Sequence, residues 1–118
     1  MDFELPEEFR MLKDLVARFV ADHLLPLEAT VLLRESKGEG AHITPPERTA
    51  LDAVSRELGL WGLDAPADVG GMDLPNIALV GVNEEIGKSM VPYVLPPDSP
   101  NLRMLAATVT AAQRERYL

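Results

Sequence analysis

From Pro6 onward, apolar side chains return every third or fourth position: Phe9, Leu12, Val16, Phe19, Val20, Leu24 and Leu27. That spacing draws one stripe along a helix and conflicts with a strand, whose side chains alternate with a period of two. The opposite face carries Arg10, Asp14, Arg18 and Asp22, an i,i+4 ladder of alternating sign that suits a solvated helix surface. Glu7 and Glu8 fall in the first turn, where the helix dipole favours anions. Pro26 has no amide hydrogen, which predicts that this helix kinks or ends near Leu25.

The same kind of signal recurs downstream. Arg34 to Ala41, reading RESKGEGA, is charged, glycine-containing and aperiodic, and predicts a linker or mobile loop. Thr44-Pro45-Pro46-Glu47 then combines an N-cap hydroxyl, a proline at the first helical position and a glutamate three residues after the cap. A second helix is predicted from there to about Leu58, with Ala50, Leu51, Val54 and Leu58 inward, Arg48, Asp52 and Arg56 on the wet side, and Gly59 as the stop. A third runs from about Asp73–Pro75 to Ser89, and its segment Ile77 to Val82, apolar on every side, predicts a central buried helix. The prolines between Val91 and Pro100 exclude helix there. Pro100 can open a fourth helix striped by Leu102, Leu105 and Val109. Thr110-Ala111-Ala112-Gln113 is a second capping box that starts a last, short helix. No stretch reads as a strand and no repeat is visible, so the predicted fold class is all-α.

Composition bounds what such a domain can do. At 118 residues the chain is one small domain, able to bury roughly two-thirds of its unfolded surface. It has no cysteine, hence no disulfide or thiolate-bound metal. A net charge of −8 argues against nucleic acid and anionic membrane surfaces as partners. The longest apolar run, six residues from Ile77 to Val82, is far short of the roughly 20 that a membrane span requires. The opening Met1-Asp2-Phe3-Glu4 is acidic where a signal peptide would be basic, so a cytoplasmic location is expected.

Candidate chemistry is sparse. His23 and His42 are the only histidines and have no partner at metal-ligand spacing, so no metal site is expected. Ser36, Ser55, Ser89 and Ser99 lack the glycine-framed turn that exposes a serine nucleophile and read as caps and wet-face residues. Glu84 and Glu85 are adjacent carboxylates in an apolar helix. Placement at the solvent edge, or pairing with a cation of a neighbouring helix, is favoured over a buried proton-active role. Gly70-Gly71 has no strand before it and no lysine beside it, so it reads as a structural turn rather than a phosphate loop. Trp61, which follows a helix stop, reads as a core plug.

The order of the motifs says more than any one of them. Leu5-Pro6-Glu7-Glu8 opens the first helix. Glu57-Leu58-Gly59-Leu60-Trp61-Gly62-Leu63, Pro66 through Gly70-Gly71, and Asn83-Glu84-Glu85-Ile86-Gly87 follow in turn. This succession closely resembles the N-terminal helical domain of the acyl-CoA dehydrogenases. ELGLWGL is similar to that family's "ELGLxGL" segment, PADVGG to its "PEEYGG" turn with Val69 in place of tyrosine, and NEEIGKS to its "xEELGR" helix end. Gln113-Arg114-Glu115-Arg116-Tyr117-Leu118 resembles the closing "QKxKYL" helix. The likeness extends over essentially the whole chain and is weakest at Arg34 to Ala41.

The resemblance implies an up-and-down helical bundle at the head of a three-domain FAD enzyme. In such an enzyme a glutamate base removes the α hydrogen of an acyl-CoA, hydride passes to the flavin, and an electron-transfer flavoprotein reoxidises it. The flavin-contacting strands and the base would lie beyond Leu118, and no residue here matches the base, so no catalytic residue is assigned. The ending on Tyr117-Leu118, two apolar side chains, reads as a chain cut before the β domain. FAD is therefore not expected on this chain alone, which is expected to be inactive by itself. The resemblance places substrate-lining residues at Val94, Leu95 and Asp98, within a segment that also resembles a "PDTGN" turn of one family branch. An isolated copy is expected to form a homodimer through apolar surface left open. The alternatives are a stand-alone helical interaction module and a subunit completed in trans by a flavin-domain chain.

Overall fold

A computed structural model describes residues 4–97 and 99–118. Six α-helices occur among them, and no strand. The first, α1, spans Glu7–Phe19, and its acidic first turn stands at the positive end of the helix dipole. The chain does not leave its helical path at Pro26. A π-helical turn, Val20–Leu24, and a 3-10 turn, Leu25–Leu27, lead directly into α2, Glu28–Ser36. The expected break near Leu25 is thus a change of pitch. Pro26 cannot donate to the Asp22 carbonyl, and in a regular turn its ring would crowd that carbonyl. The widened turn instead closes through the Leu25 amide on the Val20 carbonyl. Continuing is rewarded by burial, since Val20, Leu24 and Val31 are all in the core.

The segment expected to be a mobile loop is accordingly half helix. Arg34 to Ser36 form the last turn of α2, and only the residues after them make the connection, with Gly38 and Gly40 in the left-handed region. Arg34 pins this connection down: its guanidinium donates to the His42 carbonyl at 3.0 Å and pairs with Glu47 at 2.7 Å. Glu47 belongs to the capping box that opens α3, Pro45–Glu57, in which both reciprocal bonds with Thr44 are made. The helix stops before Gly59, at φ +75°.

Residues 58–75 form a compact connection. The Gly62 amide donates to the Pro96 carbonyl at 2.9 Å, and the Met72 and Leu74 amides return to the Gly62 and Leu63 carbonyls at 2.8 and 2.9 Å. Gly71 lies so close to the Ala65 carbonyl that a Cβ there would collide with it, which accounts for the second glycine of the pair.

Helix α4, Asn76–Ile86, crosses α1 at Gly81, where a Cβ would stand 3.3 Å from the Lys13 stem. It is not buried all round. Ala78, Gly81, Val82 and Glu85 face inward, whereas Ile77 and Val80 remain 52% and 62% exposed. One side has no helix laid over it. The core joins α1, its π turn, α2 and α3 to Leu60, Leu63, Val82, Val91 and Tyr93. Helices α5, Ser99–Thr108, and α6, Ala111–Tyr117, supply none of its buried residues. They are fastened by two exposed ion pairs, Arg103–Asp73 and Arg114–Asp68, each at 2.8 Å, and by an Arg114 hydrogen bond to the Ala106 carbonyl.

Candidate functional site

After α4 the chain runs extended past Val91, Pro92 and Tyr93, and alternate side chains turn inward. Val91 and Tyr93 are buried, Val94 is 76% exposed and Leu95 is half-buried. Tyr93 sets this register. Its ring lies 5.9 Å from that of Phe19, its hydroxyl donates to Asp52 Oδ1 at 2.7 Å, and Ser55 Oγ is 2.9 Å from the same oxygen. Ser55 also reaches the Leu51 carbonyl at 2.9 Å, so its single hydrogen is shared between the two acceptors. Burial, reinforced by the Asp52 carboxylate, pushes the Tyr93 hydroxyl well above its ordinary range, so it remains a donor.

This anchoring leaves Val94 and Leu95 as the ridge between two adjoining cavities. The larger, about 510 Å³, is walled by Val94, Leu95, Pro96, Pro97 and Pro100 on one side and by Arg48, Asp52, Asp64 and Asn83 on the other. The smaller, about 140 Å³, shares Asp64, Asn83, Val94, Leu95 and Pro96 and continues into Leu63, Leu79, Val82 and Ile86. Of the three residues named from the sequence, the structure thus brings Val94 and Leu95 to one cleft, while Asp98 lies outside the described residues. Asp52, Ser55 and Tyr93 escaped the sequence reading. Ser55 was placed among caps and wet-face residues, yet it is fully buried. Its partner lies 38 positions away, and only the i,i+3 spacing of Asp52 and Ser55 on α3 hinted at a shared target.

The other candidates take structural places. Glu85 is 7% exposed, with Lys13 at 3.7 Å and Lys88 at 3.0 Å, while exposed Glu84 reaches Lys13 at 3.4 Å. The neighbouring-helix cation is therefore a lysine of α1. His23 is half-buried, 5.6 Å from the Phe19 ring, and His42 Nδ1 sits 3.0 Å from the Gly40 carbonyl. Trp61 is not a core plug: it is half-buried, with the Arg56 guanidinium 3.5 Å over its ring. No cluster of three or more potential metal ligands occurs among the described residues.

Residues 6–118 match the family model described as acyl-CoA dehydrogenase, N-terminal domain. The chain belongs to that family. It is also 37% identical, over 126 aligned positions, to (R)-benzylsuccinyl-CoA dehydrogenase of Thauera aromatica. That alignment takes in 100% of this chain and 31% of the relative, so the chain spans about a third of that relative's length. No solved structure matches it. An acyl-CoA dehydrogenase implies FAD, and the cleft does not suit that cofactor. Its charged side chains are one guanidinium against two carboxylates, a poor donor set for a pyrophosphate. Nor is any described helix of this family member long and apolar enough to cross a membrane.

Proposed function

We propose that this domain forms part of the acyl-group wall in an FAD-dependent acyl-CoA dehydrogenase that introduces an α,β double bond into a thioester. The observation that carries this reading is the ridge of Val94 and Leu95 between two cavities, held in register by buried Tyr93. Apolar side chains that stay exposed on a rigidly anchored segment are suited to covering an apolar ligand. The substrate class carried over from the relative is an acyl-CoA, of which its benzylsuccinyl thioester is one example. In this reading the flavin, the glutamate base and the docking surface for an electron-transfer flavoprotein are supplied by residues other than those of the cleft. The domain alone is inactive, and its setting is cytoplasmic.

The test is an amide-resolved titration of the isotopically labelled chain with butyryl-CoA. Shifts concentrated at Val94, Leu95 and Asn83 are expected; an unchanged spectrum at millimolar ligand would remove the reading. The same protein, mixed with FAD and desalted, should emerge colourless. The uncovered Ile77 and Val80 of α4 favour self-association of the isolated domain as a homodimer. Light scattering should then report twice the 12.9 kDa chain mass, with more dimer at high salt, where the net negative charge is screened.

A further inference from the structure

The cleft is not uniform along its length. Asp64 and Asn83 line both cavities, whereas Arg48 and Asp52 line only the larger one. Arg48 therefore stands at the end away from the small apolar pocket, facing a wall of Val94, Leu95 and prolines. Among the described residues it makes no ion pair, although Asp52 lies one turn along the same helix. Other arginines here are engaged: Arg34 with Glu47, Arg103 with Asp73, Arg114 with Asp68 and Arg56 over Trp61. Asp52 is drawn instead to the Tyr93 hydroxyl at 2.7 Å, which Ser55 supports from the other side. The Arg48 guanidinium lies 6.0 Å from the centre of the Tyr93 ring, within cation–π range. Its fork is left open toward the cleft.

We propose that Arg48 determines specificity by binding a carboxylate at the far end of the acyl group, so that the preferred substrates are thioesters of ω-carboxylated acids. This rests on the proposed reading of the cleft as an acyl wall. A guanidinium presents parallel N–H donors that match a carboxylate in two-point geometry. Asp64, which lies where the two cavities meet, repels the same group. The ligand's polarity is therefore fixed, with its anionic end at Arg48 and its apolar part along Val94 and Leu95 toward the smaller cavity.

Three probes of one shape test this on the labelled chain: 4-phenylbutyrate, its neutral amide and 4-phenylbutylamine. The acid should bind about fivefold more tightly than the amide, the scale of a solvent-accessible charged pair, with shifts at the Arg48 side-chain N–H as well as at Val94 and Leu95. In Arg48→Gln the acid and the amide should bind equally, and unchanged binding of the amide reports an intact cleft. Sodium chloride at 0.5 M should also erase the preference. Equal binding of acid and amide to the unaltered chain overturns the proposal, as does preference for the amine, or a preference for the acid that survives in Arg48→Gln. In each of these cases the acyl-wall reading stands, because the apolar part still binds. If none of the three probes moves Val94 or Leu95, the wall reading falls, and the proposal with it.

Discussion

Glu47 is a single side chain with two tasks. It accepts the Thr44 amide in the capping box at 2.8 Å and pairs with Arg34 at 2.7 Å. The Arg34 guanidinium first, and the Thr44 amide second, hold its carboxyl at about 2, below the usual 4.5. A depressed folded-state value means that the stabilisation is complete above about pH 4.5 and is lost as pH falls through about 2. Glutamine can keep the cap but cannot pair with Arg34. Unfolding of Glu47→Gln should therefore lose less stability than the unaltered chain between pH 4.5 and 2, and the two should converge below that window. Parallel urea midpoints across the window would contradict the pairing. The cap was legible in the sequence because Thr44 and Glu47 are three positions apart. The Arg34 pair was not, because it depends on α2 continuing to Ser36, beyond a proline that local rules treat as a break.

Among the elements, α4 shows how far apolar composition alone can be read. Ile77 to Val82 could be assigned to a helix from the sequence, but the sidedness of that helix comes from its neighbour. α1 approaches at Gly81 and leaves Ile77 and Val80 without a partner. Two glycines give opposite expectations. At Gly81 a new methyl meets only the flexible Lys13 stem at 3.3 Å, and alanine is the better helix former. Gly81→Ala should therefore raise stability, by up to ~1 kcal/mol. At Gly71 the methyl would meet the Ala65 backbone, which cannot yield without breaking the Asp73 amide bond to the same carbonyl. Gly71→Ala should cost about 3 kcal/mol, as other overpacked sites do. Urea unfolding of both variants checks the pair, and similar midpoints would mean that the 62–74 connection is looser than its bonds imply. The Tyr93 anchor shows the converse limit: the prolines around it marked a non-helical stretch, but nothing local announced that Asp52 and Ser55, on another element, would hold it.

On the scale of the whole molecule, the radius of gyration is 16.2 Å, against about 13 Å for a compact domain of this length. The excess fits the placing of α5 and α6, which add no buried residue to the core and hold on through Arg103–Asp73 and Arg114–Asp68. Exposed pairs of that kind contribute little and are screened by salt. Ellipticity, which sums every helix, should begin to fall at lower urea than Trp61 fluorescence, which reports the connection beside the core. Adding 1 M sodium chloride should widen the gap, and coincident curves in both salts would show one all-or-none transition instead. The chain then comprises two cooperative units of unequal strength, and only one of them sets the midpoint that a fluorescence melt records. A substitution on the outer faces of α5 or α6 can empty those helices of structure while the apparent stability of the protein stays where it was.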